Sequence, residues 1–93
     1  MTLFESGAIL LYLAEKYNEL LGDPLLKANT ISWLFWASTG LSIQVKAFGF
    51  YYKYCPHKVP YALTRHAKEV RRLLEVLETQ FKSHGKHFIT GGT

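Results

Sequence analysis

A chain of 93 residues with 48% apolar and 15% aromatic residues has the composition of one small globular domain and lies outside the range of disordered chains. Its net charge of +4, from 11 basic against 7 acidic residues, is spread along the chain without a basic run, and no aromatic–basic motif of single-strand binders is present, so nucleic acid is not an expected partner. An anionic small ligand suits that charge equally well, and a chain this short is expected to need a partner copy or further segments to fold stably.

The stretch Leu3-Phe4-Glu5-Ser6-Gly7-Ala8-Ile9 sets a polar, glycine-containing turn directly before an apolar helix. Ser6 is expected to cap that helix, and Gly7 to let the backbone approach a ligand closely. The first free N–H groups and the positive end of the helix dipole then form a seat for a carboxylate. Glu5 adds a negative charge able to receive an ammonium, so Glu5 and Ser6 together suit the two charged groups of an amino acid. The helix is expected from Ser6 to about Tyr17. Its apolar residues fall on nearly every side, which predicts burial between other elements. The apolar run from Ala8 to Ala14 is closed by Glu15 and Lys16, too soon to span a bilayer, and no leader pattern is present. A membrane is not an expected partner.

Gly22-Asp23-Pro24 supplies a helix stop, a cap and a proline for the next first turn. From Leu25 to about Tyr54 the pattern is helical and rich in aromatics, with bends expected at Gly40 and Gly49. Its aromatic stripe reads either as core and interface packing or as one wall of an apolar cleft. The segment Cys55-Pro56-His57-Lys58-Val59-Pro60 is a connector, because two prolines four apart do not fit one regular helix. Cys55 is the only cysteine, so no internal disulfide can form and a reducing, cytoplasmic setting is expected. No C-x-x-C motif accompanies it, and it reads as a structural thiol. From Tyr61 the residues Leu63, Ala67, Val70, Leu74, Leu77 and Phe81 alternate steps of four and three, the mark of a seam against a neighbouring helix. Arg71 with Glu75 and Glu78 with Lys82 lie one turn apart. Gly85 ends this helix, and residues 87–93 read as a loop. His57, His66, His84 and His87 do not form a metal site by spacing; His84 and His87 could meet on one turn but lack a third ligand, so no metal is expected.

The run Leu3 to Tyr17, LFESGAILLYLAEKY, closely resembles the entry of cytosolic glutathione transferases into the last helix of their thioredoxin-like domain. Ile31-Ser32-Trp33-Leu34-Phe35-Trp36 and Lys58-Val59-Pro60-Tyr61-Ala62-Leu63-Thr64-Arg65 follow in the order and rough spacing of one branch of that family, the bacterial and fungal disulfide-bond reductases and nitrogen-regulator-like proteins. The resemblance implies a mainly α fold. Residues 1–22 would be the end of a thioredoxin-like domain, and residues 23–93 part of the helical C-terminal domain, an α-bundle, the whole being an internal slice of the family's fold. It further implies a cytoplasmic homodimer that binds glutathione as substrate and conjugates it or uses it to reduce disulfides. Glu5 and Ser6 would hold the γ-glutamyl end, and Arg72 would assist, since an arginine at the matching place reaches toward glutathione. The residue that activates the thiol lies, in relatives, ahead of the ESGAI turn and is not assigned. Little or no catalysis is therefore expected from the chain as it stands; the rival reading is a non-catalytic interaction or regulatory module. The chain departs from the branch at Gly40-Leu41-Ser42-Ile43-Gln44-Val45, where relatives carry a GLGPM-like stretch followed by glutamine, and at Cys55, where they typically have alanine.

Overall fold

The computed structural model describes residues 2–85 and 88–90. Among these there is no strand, and the fold is mainly α. Helix α1 is Ser6–Tyr17, α2 is Lys27–Phe35, α3 is Ser42–Gly49 and α4 is Pro60–His84. A short 3₁₀ turn, Pro24–Leu26, precedes α2, and two widened π-type stretches, Trp36–Leu41 and Phe50–Tyr54, prolong the rod on either side of α3.

Each boundary has a local cause. Helix α1 stops at Asn18, whose left-handed backbone (φ 52°) turns its N–H back to the carbonyls of Ala14 and Glu15. The helix thus ends where expected, at Tyr17, and Gly22 takes φ 68° in the link that follows. Asp23 caps as its position suggests, its Oδ1 accepting from the Leu25 N–H at 2.9 Å with Pro24 in the first turn. The first widened stretch arises where hydroxyls enter the helical ladder: Ser38 Oγ donates to the Leu34 carbonyl at 3.0 Å and Thr39 Oγ1 to the Phe35 carbonyl at 2.6 Å. Gly40 lies inside this stretch, and Gly49 stands immediately before the second. That second stretch closes with Cys55 N–H on the Phe50 carbonyl at 2.7 Å, after which the chain runs extended into Pro56. Helix α4 begins at Pro60, one residue before the expected start, and ends at Gly85 (φ 66°), whose N–H reaches the Phe81 carbonyl.

Helix α4 packs on α3 and on both widened stretches. Its fully buried residue is Leu73, 4% exposed, whereas Leu74, expected in the seam, is 50% exposed. The inward stripe is turned by roughly half a residue step, about 50° at the 3.6-residue pitch. The reason is that polar residues share it. His66 and Gln80 stand one heptad either side of Leu73 and are accommodated by hydrogen bonds, His66 Nδ1 with Gln44 Oε1 at 2.8 Å and Gln80 Nε2 to the Ile89 carbonyl at 2.7 Å. His66 also stacks on Tyr51, with centroids 5.5 Å apart. The ion pairs Arg71–Glu75 (3.3 Å) and Glu78–Lys82 (3.7 Å) form on the outer faces as expected; such exposed pairs contribute about 0.3–0.5 kcal/mol each.

The assembly of helices is a thin layer, 47 × 40 × 15 Å, with a radius of gyration of 16.3 Å. A compact chain of this length has a radius near 12 Å, estimated from about 2.2·N^0.38. The accessible surface is 7547 Å². A compact monomer of the same mass exposes about 5,500 Å². The roughly 2,000 Å² of extra surface includes the outer face of α1. No described residue of α1 is buried, contrary to the expectation from its apolar pattern, and Leu10, Leu13 and Tyr17 form an open apolar stripe. Among the described residues none covers that side of α1, and the same openness leaves Phe35, Tyr52 and Tyr54 exposed.

Candidate functional site

The site forms where α1 begins. Glu5 has φ 70° and ψ 119°, a backbone conformation that is costly for any residue with a side chain. Its carbonyl accepts the first helical bond, from Ile9 N–H at 3.0 Å, so the N–H groups of Ser6, Gly7 and Ala8 lie outside the helical ladder at the positive end of the helix dipole. The capping expectation for Ser6 is corrected here. Ser6 is the first helical residue, Glu5 holds the cap position, and no side chain caps the helix. The kinked backbone at Glu5 shifts the frame by one residue and leaves the Ser6 hydroxyl unused by the helix. Both residues are exposed.

A groove of about 440 Å³ runs from this turn to the widened stretch, lined by Glu5, Ser6, Gly7, Ala8, Phe35, Ser38, Thr39, Ser42, Ile43 and Lys46. The hydroxyl-bearing bulge is what brings Ser38 opposite Gly7: a methyl placed on Gly7 would lie 3.5 Å from Ser38 Oγ, an ordinary contact. Gly7 therefore faces the Ser38 side chain. Chemically, the groove offers three amide donors, the Lys46 ammonium for an anion, the Glu5 carboxylate for a cation, and the hydroxyls of Ser6, Ser38, Thr39 and Ser42. Sequence reasoning did not single out Ser38, Thr39 or Lys46 as site residues. The one available signal was the adjacent pair Ser38-Thr39 inside a helical pattern, a place where hydroxyls compete for backbone carbonyls.

Arg72 is placed elsewhere. Its guanidinium grips Glu69 with two prongs, Nε to Oε2 at 3.0 Å and Nη2 to Oε1 at 2.6 Å. The hydrogen bond from Arg72 is the main reason that the Glu69 carboxyl lies below its ordinary pKa, and the same bond raises that of Arg72. Arg72 borders one groove with Gln44, Tyr61, Arg65, Lys68 and Glu69 and another with Trp33, Val76 and Gln80. Neither shares a described lining residue with the Glu5–Ser6 groove. The structure thus brings Glu5 and Ser6 together in one groove and sets Arg72 in the lining of two others.

Among the described residues there is no group of three or more potential metal ligands, and no helix is long and apolar enough to cross a membrane. The suggested meeting of His84 with His87 lies outside the described residues, since His87 is not among them. Cys55 is a half-buried free thiol at the end of the second widened stretch.

No protein-family model matches the chain. It is 44% identical over 89 residues to the disulfide-bond oxidoreductase YghU of Escherichia coli, a match that covers 95% of this chain and 30% of that protein. It is 39% identical over 84 residues to the disulfide-bond oxidoreductase YfcG of the same organism, covering 89% of this chain and 39% of the relative. Among solved structures, the glutathione transferase URE2P6 from Phanerochaete chrysosporium, in complex with oxidized glutathione, superposes with a TM-score of 0.87 at 28% identity, over 100% of this chain and 44% of that one. The chain therefore spans less than half the length of each.

Proposed function

Because the chain belongs to the glutathione transferase family, in the branch of the bacterial disulfide-bond oxidoreductases and the URE2 proteins, we propose that it supplies the γ-glutamyl-binding end of a glutathione site. In this reading residues 1–22 are the thioredoxin-like part and residues 23–93 the helical domain. The observation that carries the proposal is the exposed Glu5–Ser6 turn with three amides free at the positive end of α1. The ligand's α-carboxylate lies on those amides and on the Ser6 hydroxyl, and its ammonium lies against the Glu5 carboxylate. Arg72 assists by exchanging its grip on Glu69 for a carboxylate of the ligand, which makes its contribution smaller than that of Ser6.

The activity of the intact site is glutathione conjugation or glutathione-dependent disulfide reduction. The groove residues described here bind and orient glutathione, and none of them is assigned to thiol activation, so the chain alone turns over little or no substrate. The free Cys55 thiol suits a cytoplasmic protein. The uncovered apolar surface suits a homodimer.

Retention on immobilised glutathione tests the reading. The chain should be retained and eluted by free glutathione. A hydrogen bond to a charged group contributes about 1.5–3 kcal/mol, so Ser6→Ala and Glu5→Gln should each weaken retention by about tenfold or more. Retention unchanged by both substitutions would place the ligand elsewhere. No retention by the parent chain would favour the alternative, a non-catalytic interaction or regulatory module.

A further inference from the structure

We propose that His66 of α4 is a positioning residue for the groove at the start of α1: through its hydrogen bond to Gln44 it sets the roll of α3, and with it the direction in which Ser42, Ile43 and Lys46 face α1. The effect of His66 on a bound ligand rests on the glutathione reading; its effect on the roll of α3 does not.

The neighbours of α3 explain why it needs such a device. It is eight residues long, Ser42–Gly49, and lies between two widened stretches, so no regular helical ladder carries its roll over from α2. At about 100° per residue, Ser42, Ile43 and Lys46 share one face of α3, and Gln44 lies about 150° from the centre of that face. The first face lines the groove with Glu5 and Ser6, and Gln44 meets α4. Fixing one side of α3 therefore fixes the other.

His66 is half-buried and holds the Gln44 side at two points. Its Nδ1 lies 2.8 Å from Gln44 Oε1, and its ring stacks on Tyr51 in the second widened stretch, with centroids 5.5 Å apart and planes at 9°. An amide oxygen only accepts, so Nδ1 carries the proton and donates it. The two contacts constrain different things. Ring pairs stay favourable over centroid distances of about 4.5–7 Å, whereas a hydrogen bond weakens steeply away from its preferred angle. The stack holds the helices together, and the bond sets the roll. A roll of about 20° carries a group at the side-chain radius of about 5–6 Å through about 2 Å. That displacement takes a group such as the Ser42 hydroxyl out of hydrogen-bond reach of a ligand. Lys46 moves with it, and it is the one cation among the described lining residues of the groove.

The test uses the full 93-residue chain with two replacements of His66. His66→Phe keeps a ring for Tyr51 and removes the donor; His66→Asn keeps an N–H within reach of Gln44 and gives up the stack. Without ligand, a nitroxide on Val45→Cys in a Cys55→Ser background reports the roll of α3 through broadening of the Ser6, Gly7 and Ala8 amides. The broadening pattern should match the parent in His66→Asn and change in His66→Phe, with helix content by circular dichroism unchanged in both. With reduced glutathione, His66→Phe should bind about threefold to fivefold more weakly, the scale of one exposed charged contact, and His66→Asn within about twofold of the parent. The loss in His66→Phe should vanish when Ser42→Ala and Lys46→Gln are already present, because the groups it misplaces are then absent; a general loosening of the fold would persist in that background. A parent chain that does not bind glutathione would refute the glutathione reading alone, and the ligand-free broadening would still decide the role of His66. The proposal is overturned by unchanged broadening in His66→Phe, by an equal change in His66→Asn, or by a loss of affinity that persists in the Ser42→Ala, Lys46→Gln background.

Discussion

Replacing Leu73 and Leu74 one at a time by alanine measures which way α4 faces. Leu73 is 4% exposed and Leu74 is 50% exposed. Truncation to alanine removes three carbons, worth about 2.4 kcal/mol at 0.8 kcal/mol per buried group. For Leu73 nearly all of that transfer energy is lost, and a cavity contribution is added. Because its neighbours on α4 are only half-buried, the site can collapse, which puts the cost at about 2–3 kcal/mol, the low end for buried leucines. For Leu74 half the side chain is already in water and no cavity forms, so the cost is about 1 kcal/mol. Urea unfolding followed by far-ultraviolet circular dichroism should show the midpoint falling on the order of 1–2 M for Leu73→Ala, given an m-value of about 1–3 kcal/mol per molar, and by less than half as much for Leu74→Ala. Runs at two protein concentrations separate helix packing from self-association through the exposed Leu74. A larger loss from Leu74→Ala, independent of concentration, would refute the observed orientation and restore the seam expected from the apolar pattern.

Three further outcomes follow from the same geometry. Gly7→Ala should stabilise the chain by about 0.4–1 kcal/mol, because the added methyl meets Ser38 at ordinary contact distance; destabilisation in the same urea assay would mean that α1 and the widened stretch lie closer than observed. The Glu69 carboxyl titrates below its ordinary value, so its contribution to α4 is complete above the unfolded carboxylate pKa and is lost as pH falls through the lower folded one; acid titration of helicity should lose this component in Glu69→Gln, and an unchanged curve would show that the pair is not formed in solution. Light scattering at micromolar concentration should give twice the 10.7 kDa chain mass, since a surplus of roughly 2,000 Å² per chain, about 4,000 Å² over two chains, falls in the range that obligate homodimers bury, about 2,000–5,000 Å²; a monomer that unfolds independently of concentration would contradict this.

Features that depend on a single local signal could be read from the sequence. The span of α1, the Asp23 cap with Pro24, the proline connector and the Gly85 terminator each follow from a residue whose backbone preference or side-chain reach leaves little choice. Glu5 and Ser6 could be found for the same reason: a polar pair ahead of an apolar helix marks free amides. Features set by hydrogen bonds between distant residues could not. His66 and Gln80 look like surface residues until Gln44 and the Ile89 carbonyl are seen to partner them, and their inclusion in the packed stripe turns α4 toward Leu73. The positive φ at Glu5 falls on a residue with no special preference for it, so the shifted cap was not visible. The contribution of Ser38, Thr39 and Lys46 to the groove depends on the widened stretch, whose extra residue per turn resets which side chains face α1.

The most direct measurement is a backbone amide titration of the nitrogen-15-labelled chain with reduced glutathione. Saturable shifts concentrated at Ser6, Gly7 and Ala8, abolished by Glu5→Gln combined with Ser6→Ala, are the predicted result. Amides at the start of α1 that stay still while other parts of the chain respond, or no response at any concentration, would contradict the account.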